Sequence, residues 1–310
     1  MSSESTSSSS SEALLQILLL RKGKLSPIKL LIIQFVWIIP YILFANYLER
    51  SLVAFRLSCY TQSDLLSHRP YASSTQECVD KLFHVVRSSP KAIEYRNLIR
   101  RTWMKDVSHT SPVFFVIGLG VDVTEEASHY GDLLVFNFTD SYFALPKKMT
   151  ATYGWFLSTF PSSSKLLVVN DDTIVNGSAL QKLSLPPSSD AWMLGKVSRG
   201  YPRIIFPWIT WFVSNSQYPE LCYPRFTQGS SFIVSRAALS VIWDGVCSVP
   251  ILPLDDIWTG VLSLCLPFEQ IHAEGFDVHW QWKSFVVFHY QFSRYSADHL
   301  QNLYDNMKLE

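Results

Sequence analysis

The longest apolar stretch in the chain runs from Leu30 to Leu48, broken only by Gln34, Pro40 and Asn46. At about 1.5 Å per residue it makes roughly 28 Å of helix, close to the hydrocarbon thickness of a bilayer. It has no polar face, so it predicts a membrane-spanning helix rather than one packed on a core. Trp37, Tyr41 and Tyr47 suit anchoring at the interfaces, and the basic cluster Arg21, Lys22, Lys24 and Lys29 before the run favours a cytoplasmic N-terminus. A cleaved signal peptide fits less well. The run is long, lies far from Met1 and ends in Asn-Tyr-Leu-Glu-Arg rather than a small-residue cleavage site. The expected organisation is a Ser-rich then basic tail (1–29), a signal anchor (30–48), a stem (49–80) and a folded domain (81–310).

Within that domain the apolar pattern is short and punctuated. Lys81–Arg87, Val113–Gly118, Leu133–Phe136 and Lys165–Asn170 read as strands. Thr124–Tyr130, with Thr124 as its cap, and Lys148–Phe160 read as helices between them. This alternation at βαβ spacing predicts an α/β domain with a largely parallel sheet. Later segments continue it: strand Ser231–Val234, helix Ser235–Trp243, strand Phe285–Phe288 and a C-terminal helix Ser296–Met307 capped by Ser296.

Composition adds two constraints. An apolar fraction of 48% with ten tryptophans supports a packed core. Lys+Arg and Asp+Glu both total 26, so no global field draws nucleic acid and recognition must be local. Cys59, Cys78, Cys222, Cys247 and Cys265 show no metal-binding spacing. Asn137-Phe-Thr139 and Asn176-Gly-Ser178 are glycosylation sequons, the second expected to be unused because it lies beside the candidate site.

Three constellations carry chemistry. Asn170-Asp171-Asp172 follows a buried strand, at the sheet edge where α/β proteins bind ligands. Carboxylates there suit a hard divalent cation that neutralises a diphosphate, although an acidic turn places them equally well. Asp255-Asp256 precedes a helix, where one carboxylate serves as a base positioned by the other, or both simply cap the helix. His289 ends an apolar strand and becomes a metal ligand only if the fold brings it to Asp172.

Taken in order, these segments resemble the β1,3-galactosyltransferase-like glycosyltransferases (family 31). Arg96-Asn-Leu-Ile-Arg-Arg-Thr-Trp103 is similar to R-x-x-I-R-x-T-W. Glu126 with Tyr130-Gly-Asp-Leu-Leu134, then Phe138-Thr-Asp-Ser-Tyr142 with Lys148 and Trp155, resemble the next blocks. Asn170-Asp-Asp-Thr-Ile-Val-Asn176 resembles D-D-D-V-F-V-N. Tyr223-Pro-Arg-Phe226 with Gly229, Asp255-Asp-Ile-Trp-Thr-Gly260 and Val287-Phe-His289 complete the series over roughly residues 82–308.

The resemblance implies a GT-A fold, with a Rossmann-like nucleotide half joined to an acceptor half. It also implies an inverting transfer from a UDP-sugar, usually with Mn²⁺, to a glycan, glycoprotein or glycolipid acceptor. In those terms Asp172 and His289 hold the metal, and Asp256 is the catalytic base with Asp255 beside it. Arg96, Arg100, Trp103, Lys148 and Asp171 lie on the nucleotide side. Anchor and family together imply a single-pass type II protein of the Golgi membrane with a lumenal domain. Asn170 departs from the family's usual Asp, and Asp255 from its frequent Glu. The alternative is a catalytically silent member that binds glycan or escorts a partner enzyme.

Overall fold

The structure is a computed structural model that describes residues 82–309 apart from 110, 161–163, 280–284 and 292, together with Ile32 and Val36. The chain divides into two units, Met1–Val53 and Ala54–Glu310. In the first, Ile32 and Val36 are helical and exposed. The tail, anchor and stem expected over 1–29, 30–48 and 49–80 otherwise lie outside the described residues. No helix among the described residues is long and apolar enough to cross a membrane.

The described part of the second unit contains nine strands. They are β1 (Leu82–Arg87), β2 (Val113–Leu119), β3 (Leu133–Thr139), β4 (Lys165–Asn170), β5 (Ile174–Val175), β6 (Trp192–Ser198), β7 (Phe226–Ser235), β8 (Glu269–His272) and β9 (Val287–Phe288). The helices are α1 (Ile93–Arg101), α2 (Trp103–Val107), α3 (Thr124–Tyr130), α4 (Leu145–Thr159), α5 (Gly177–Gln181), α6 (Arg236–Gly245), α7 (Asp255–Cys265) and α8 (Ala297–Leu309). Seven strands make one sheet in the order β3-β2-β1-β4-β7-β6-β8. The first four are parallel, so their carboxyl ends and the loops after them share one edge. β7 runs antiparallel to both β4 and β6, while β6 and β8 are parallel. The sheet is therefore largely parallel, as the alternation predicts, with β7 alone running against its neighbours.

Both faces of the sheet are covered, which is why β1 and β4 read as continuous apolar runs. Along β1, Phe83 and Val85 enter one core cluster with Phe114, Phe156 and Trp258. Val86 enters the other with Ile99, Trp103 and Leu167. Gly154 lets α4 approach α6 closely, since a β-carbon there would lie 2.5 Å from the Trp243 ring.

The predicted elements recur with shifted ends, and two details change. Thr124 does not cap α3: the Asp122 carboxylate accepts from its backbone N–H at 2.9 Å and its hydroxyl at 2.7 Å. Phe285–Phe288 does not extend the main sheet. Only Val287 and Phe288 are strand, and they pair antiparallel with β5. Ser235 and Ser296 do cap their helices, accepting from the N–H groups of Ala238 and His299. Cys247 is disulfide-bonded, whereas Cys222 and Cys265 are free and exposed.

His84 lies in the middle of the sheet, 2% exposed, and burial lowers it from 6.5 to about 4. The unfolded chain therefore takes up a proton that the folded one refuses as pH falls below 6.5. Stability is full above that value and is lost on acidification towards pH 4. From pH 7 to pH 5 this group contributes a loss of about 2 kcal/mol. Denaturant midpoints at the two pH values should show it, and His84→Leu should flatten that part of the slope.

Candidate active site

Hydrogen-bond demands at the carboxyl edge explain how the site is assembled. β4 ends at Asn170, and the chain turns through Asp171, Asp172 and Thr173 into β5. The register Ile174↔Phe288 and Val175↔Val287 places His289 opposite the end of that turn, at Thr173. His289 Nε2 lies 3.7 Å from Asp172 Oδ1, a buried oxygen with no hydrogen-bond partner. The other ring nitrogen, Nδ1, bonds Asp277 Oδ1 at 2.7 Å.

Asp277 fixes that ring. It is 1% exposed, sits at φ 52°, and also accepts from Ser230 Oγ at 2.8 Å and from the Gln291 amide. Burial opposes its charge, but His289, Lys196 and Ser230 outweigh it and hold the carboxyl below its ordinary value. Nδ1 is thus engaged by a carboxylate and Nε2 is turned to Asp172, an arrangement common around metal-ligating histidines.

The second acidic pair meets the same edge from the other side. α7 begins at Asp255, above the amino end of β7, where a β-carbon on Gly229 would lie 3.4 Å from Asp256 Cβ and 3.6 Å from Asp255 Oδ1. Asp255 is ion-paired with Arg87 at 2.5 Å. Asp256 bears no such cation among the described residues. Desolvation and then the adjacent Asp255 charge push it up to about 7. Tyr142 is close by: its hydroxyl is pushed up to about 12 by desolvation, then by Asp255 and Asp256, while the Trp211 indole N–H donates to it.

The expected nucleotide-side residues are placed less directly than their motifs imply. Arg96 is fully buried. It pairs with Glu126 through Nε at 2.8 Å and Nη2 at 2.5 Å, and donates to the carbonyls of Ser89 and Pro90. Arg100 spans Glu126 and Asp132, both at 2.8 Å, beneath the Tyr130 ring. Lys148 Nζ spends its three donors on Ser88 O at 2.7 Å and on both oxygens of Asp140 at 2.9 and 2.8 Å. Trp103 is buried, and its indole donates to Thr173 O at 3.0 Å. Arg96 and Lys148 brace the loop after β1 and Trp103 the turn after β4, while Arg100 ties α1 to α3 and to the start of β3; the three cations are all engaged by carboxylates. Asp171 is buried as well, accepting from Ser88 Oγ at 2.7 Å and Arg294 Nη2 at 2.6 Å. Burial pushes it above the usual carboxylate value.

The donor set suits a divalent cation. An orphaned carboxylate oxygen on Asp172 facing the oriented His289 imidazole would supply two ligands to such a cation. Among the described residues no group of three His, Cys, Asp or Glu is placed to hold a metal. The other positions would fall to a diphosphate and water, as is usual for cations that serve phosphate chemistry.

The galactosyltransferase family model matches residues 94–274, more than half of the chain, and spans α1, the acidic turn and the Asp255-Asp256 pair. The chain belongs to the galactosyltransferase family. Among the family's curated members, lactosylceramide 1,3-N-acetyl-β-D-glucosaminyltransferase of Xenopus tropicalis is 25% identical over 64% of this chain and 58% of its own length. Human β-1,3-galactosyltransferase 5 is 27% identical over 61% of this chain and 65% of its own. A mouse acetylgalactosaminyl-O-glycosyl-glycoprotein β-1,3-N-acetylglucosaminyltransferase is 28% identical over 58% of this chain and 50% of its own. The chain thus spans between half and two thirds of each of these relatives. A glycosyltransferase involved in glycosylation of the PBCV-1 major capsid protein overlays 74% of this chain and 99% of its own, but at a TM-score of 0.39 and 12% identity. The α/β architecture stands on the strand order itself.

Arg87, Asp277 and Arg294 are site residues without a sequence signal. Arg87 looks like the polar end of a strand. Asp277 and Arg294 lie in irregular segments, where no periodicity marks them.

Proposed function

We propose that this chain is an inverting, metal-dependent hexosyltransferase that moves galactose or an N-acetylhexosamine from a UDP-sugar to a glycan hydroxyl, forming a β1,3 linkage. The observation that carries the reading is the convergence of Asp172 with His289 and of Asp255 with Asp256 on one sheet edge, joined through Arg87 and Gly229. Family membership supports the nucleotide-sugar donor and glycan acceptor.

A bound Mn²⁺ on Asp172 and His289 would offset the charge that grows on the departing diphosphate. Asp256 accepts the proton of the acceptor hydroxyl as its oxygen attacks the anomeric carbon, and a carboxyl near 7 is matched to that task at neutral pH. The sugar C–O bond to UDP breaks as the new C–O bond forms. The leaving diphosphate needs no proton, so a second acid is unnecessary, unlike in a glycosidase. Trp211 is exposed and donates to Tyr142 beside the acidic pair, and an aromatic face there suits the C–H face of a sugar ring. The apolar run at 30–48 and the family support a type II protein of the Golgi membrane with residues 81–310 as its lumenal GT-A domain.

The test is product stereochemistry. Full-length protein is incubated with Mn²⁺, UDP-galactose or UDP-N-acetylglucosamine, and methyl glycosides, and the anomeric protons are read by NMR. A β-linked product from the α-linked donor is expected. An α-linked product contradicts a single displacement with Asp256 as base.

A further inference from the structure

Asn170 stands where the family's metal motif carries Asp, yet the bonds its side-chain oxygen makes run to neither Asp172 nor His289. Oδ1 accepts two N–H groups of Arg87, from Nε at 3.1 Å and Nη2 at 2.6 Å. Arg87 Nη1 then reaches Asp255 Oδ2 at 2.5 Å, and Nη2 also donates to the Gly229 carbonyl. The Arg87–Asp255 end of the bridge is secluded, with side chains 4% and 12% exposed, and Asn170 is half-buried. We infer that Asn170 is a positioning residue of the acidic pair rather than of the metal centre, acting through Arg87 to hold Asp255 in place beside Asp256.

The reason lies in charge. A guanidinium has five donors in a rigid fork, and a neutral amide oxygen takes two of them without taking its charge. Arg87 therefore remains a full counter-ion for Asp255. A carboxylate at position 170 would divide that charge between two anions and loosen the hold on Asp255. The Asp255 charge in turn disfavours a second negative charge on Asp256, so the two acids are placed unequally: Asp255 is held by Arg87, and Asp256 has no ion pair of its own among the described residues. The groups facing the pair are Arg87 from β1, Tyr142 from the turn before α4, Tyr153 from α4 and Tyr223 before β7. The three tyrosines are all pushed up, so near neutral pH Arg87 is the charged member of that group.

The inference rests on Asp256 as the base, but its test needs neither donor nor acceptor. Full-length protein carrying ¹³C-carboxyl aspartate is titrated by NMR, with Asp256→Asn assigning the signal, and Mn²⁺ affinity is read separately by electron paramagnetic resonance. Arg87→Met should raise the Asp256 midpoint by about one to three pH units, the usual effect of removing a close opposite charge. Arg87→Lys should restore part of it. Asn170→Asp should raise the midpoint in the same direction while leaving the Mn²⁺ dissociation constant within about twofold. If Arg87→Met does not fold, the near-isosteric Asn170→Asp carries the test alone. A Mn²⁺ affinity at least tenfold tighter in Asn170→Asp, or an Asp256 midpoint that does not move, overturns the inference and returns Asn170 to the metal site.

Discussion

Asp256→Asn should lower kcat by about 10²- to 10⁴-fold, the range for removing a general base, while UDP binding stays unchanged. The amide keeps the size of the side chain but cannot take the acceptor proton. The Asp172–His289 pair is untouched, because its members reach the site from the β4–β5 turn and the end of β9. The wild-type pH profile should report the same group. Asp256 is raised to about 7, so it holds its proton below that pH and is free to accept one above it. kcat/KM should therefore climb as pH rises through about 7, and the residual activity of Asp256→Asn should lack that limb. Steady-state rates from pH 5.5 to 8.5 check both. A variant of near wild-type rate with an unchanged profile would remove Asp256 from the mechanism.

Glu126→Ala should be among the most destabilising substitutions in the domain, by about 3–5 kcal/mol. Glu126 is 7% exposed and answers two arginines at once, Arg96 at 2.5 Å and Arg100 at 2.8 Å. Burial works against its charge, but Arg96 and then Arg100 overcome it and hold the carboxyl below the usual range. Truncation leaves the fully buried Arg96 with donors aimed at an empty space, which costs more than the pair itself contributes. The effect should extend to the site. Arg96 braces Ser88, Ser89 and Pro90, and Ser88 in turn holds Asp171, so a slackened loop should also weaken UDP binding. Glu126→Gln, which keeps the shape and loses the charge, should fall between the two. Denaturant unfolding measures the stability change, and equality of Glu126→Ala with wild type would contradict this account of the loop.

The parts of the fold legible in the sequence were those where burial writes a pattern. β1, β2 and β4 are covered on both faces and read as apolar runs, broken in β1 only by His84, and β4 ends where its carboxylates begin. β6 and β8 carry no such pattern. β6 carries Gly195 and Lys196 in mid-strand, and β8 is four residues of Glu-Gln-Ile-His at a sheet edge. The meeting of His289 with Asp172 depends on two strands of two residues each, too short for any periodicity. Motif matching placed Arg96, Arg100, Trp103 and Lys148 near the nucleotide side but not the direction of their side chains. Buried ion pairs with Glu126, Asp132 and Asp140 decide that direction for Arg96, Arg100 and Lys148, whose partners lie between 8 and 32 residues away, while Trp103 is turned by its bond to the Thr173 carbonyl. Arg87 was invisible for the same reason, since its partner Asp255 is 168 residues distant.

The measurement that bears most directly on the central claim is calorimetric titration of UDP into the full-length protein, with Mn²⁺ and with the metal withdrawn, for wild type and Asp172→Ala. UDP should bind the wild type only with Mn²⁺ present, and binding should be lost in the variant. Folded wild-type protein that binds no UDP under either condition would contradict it.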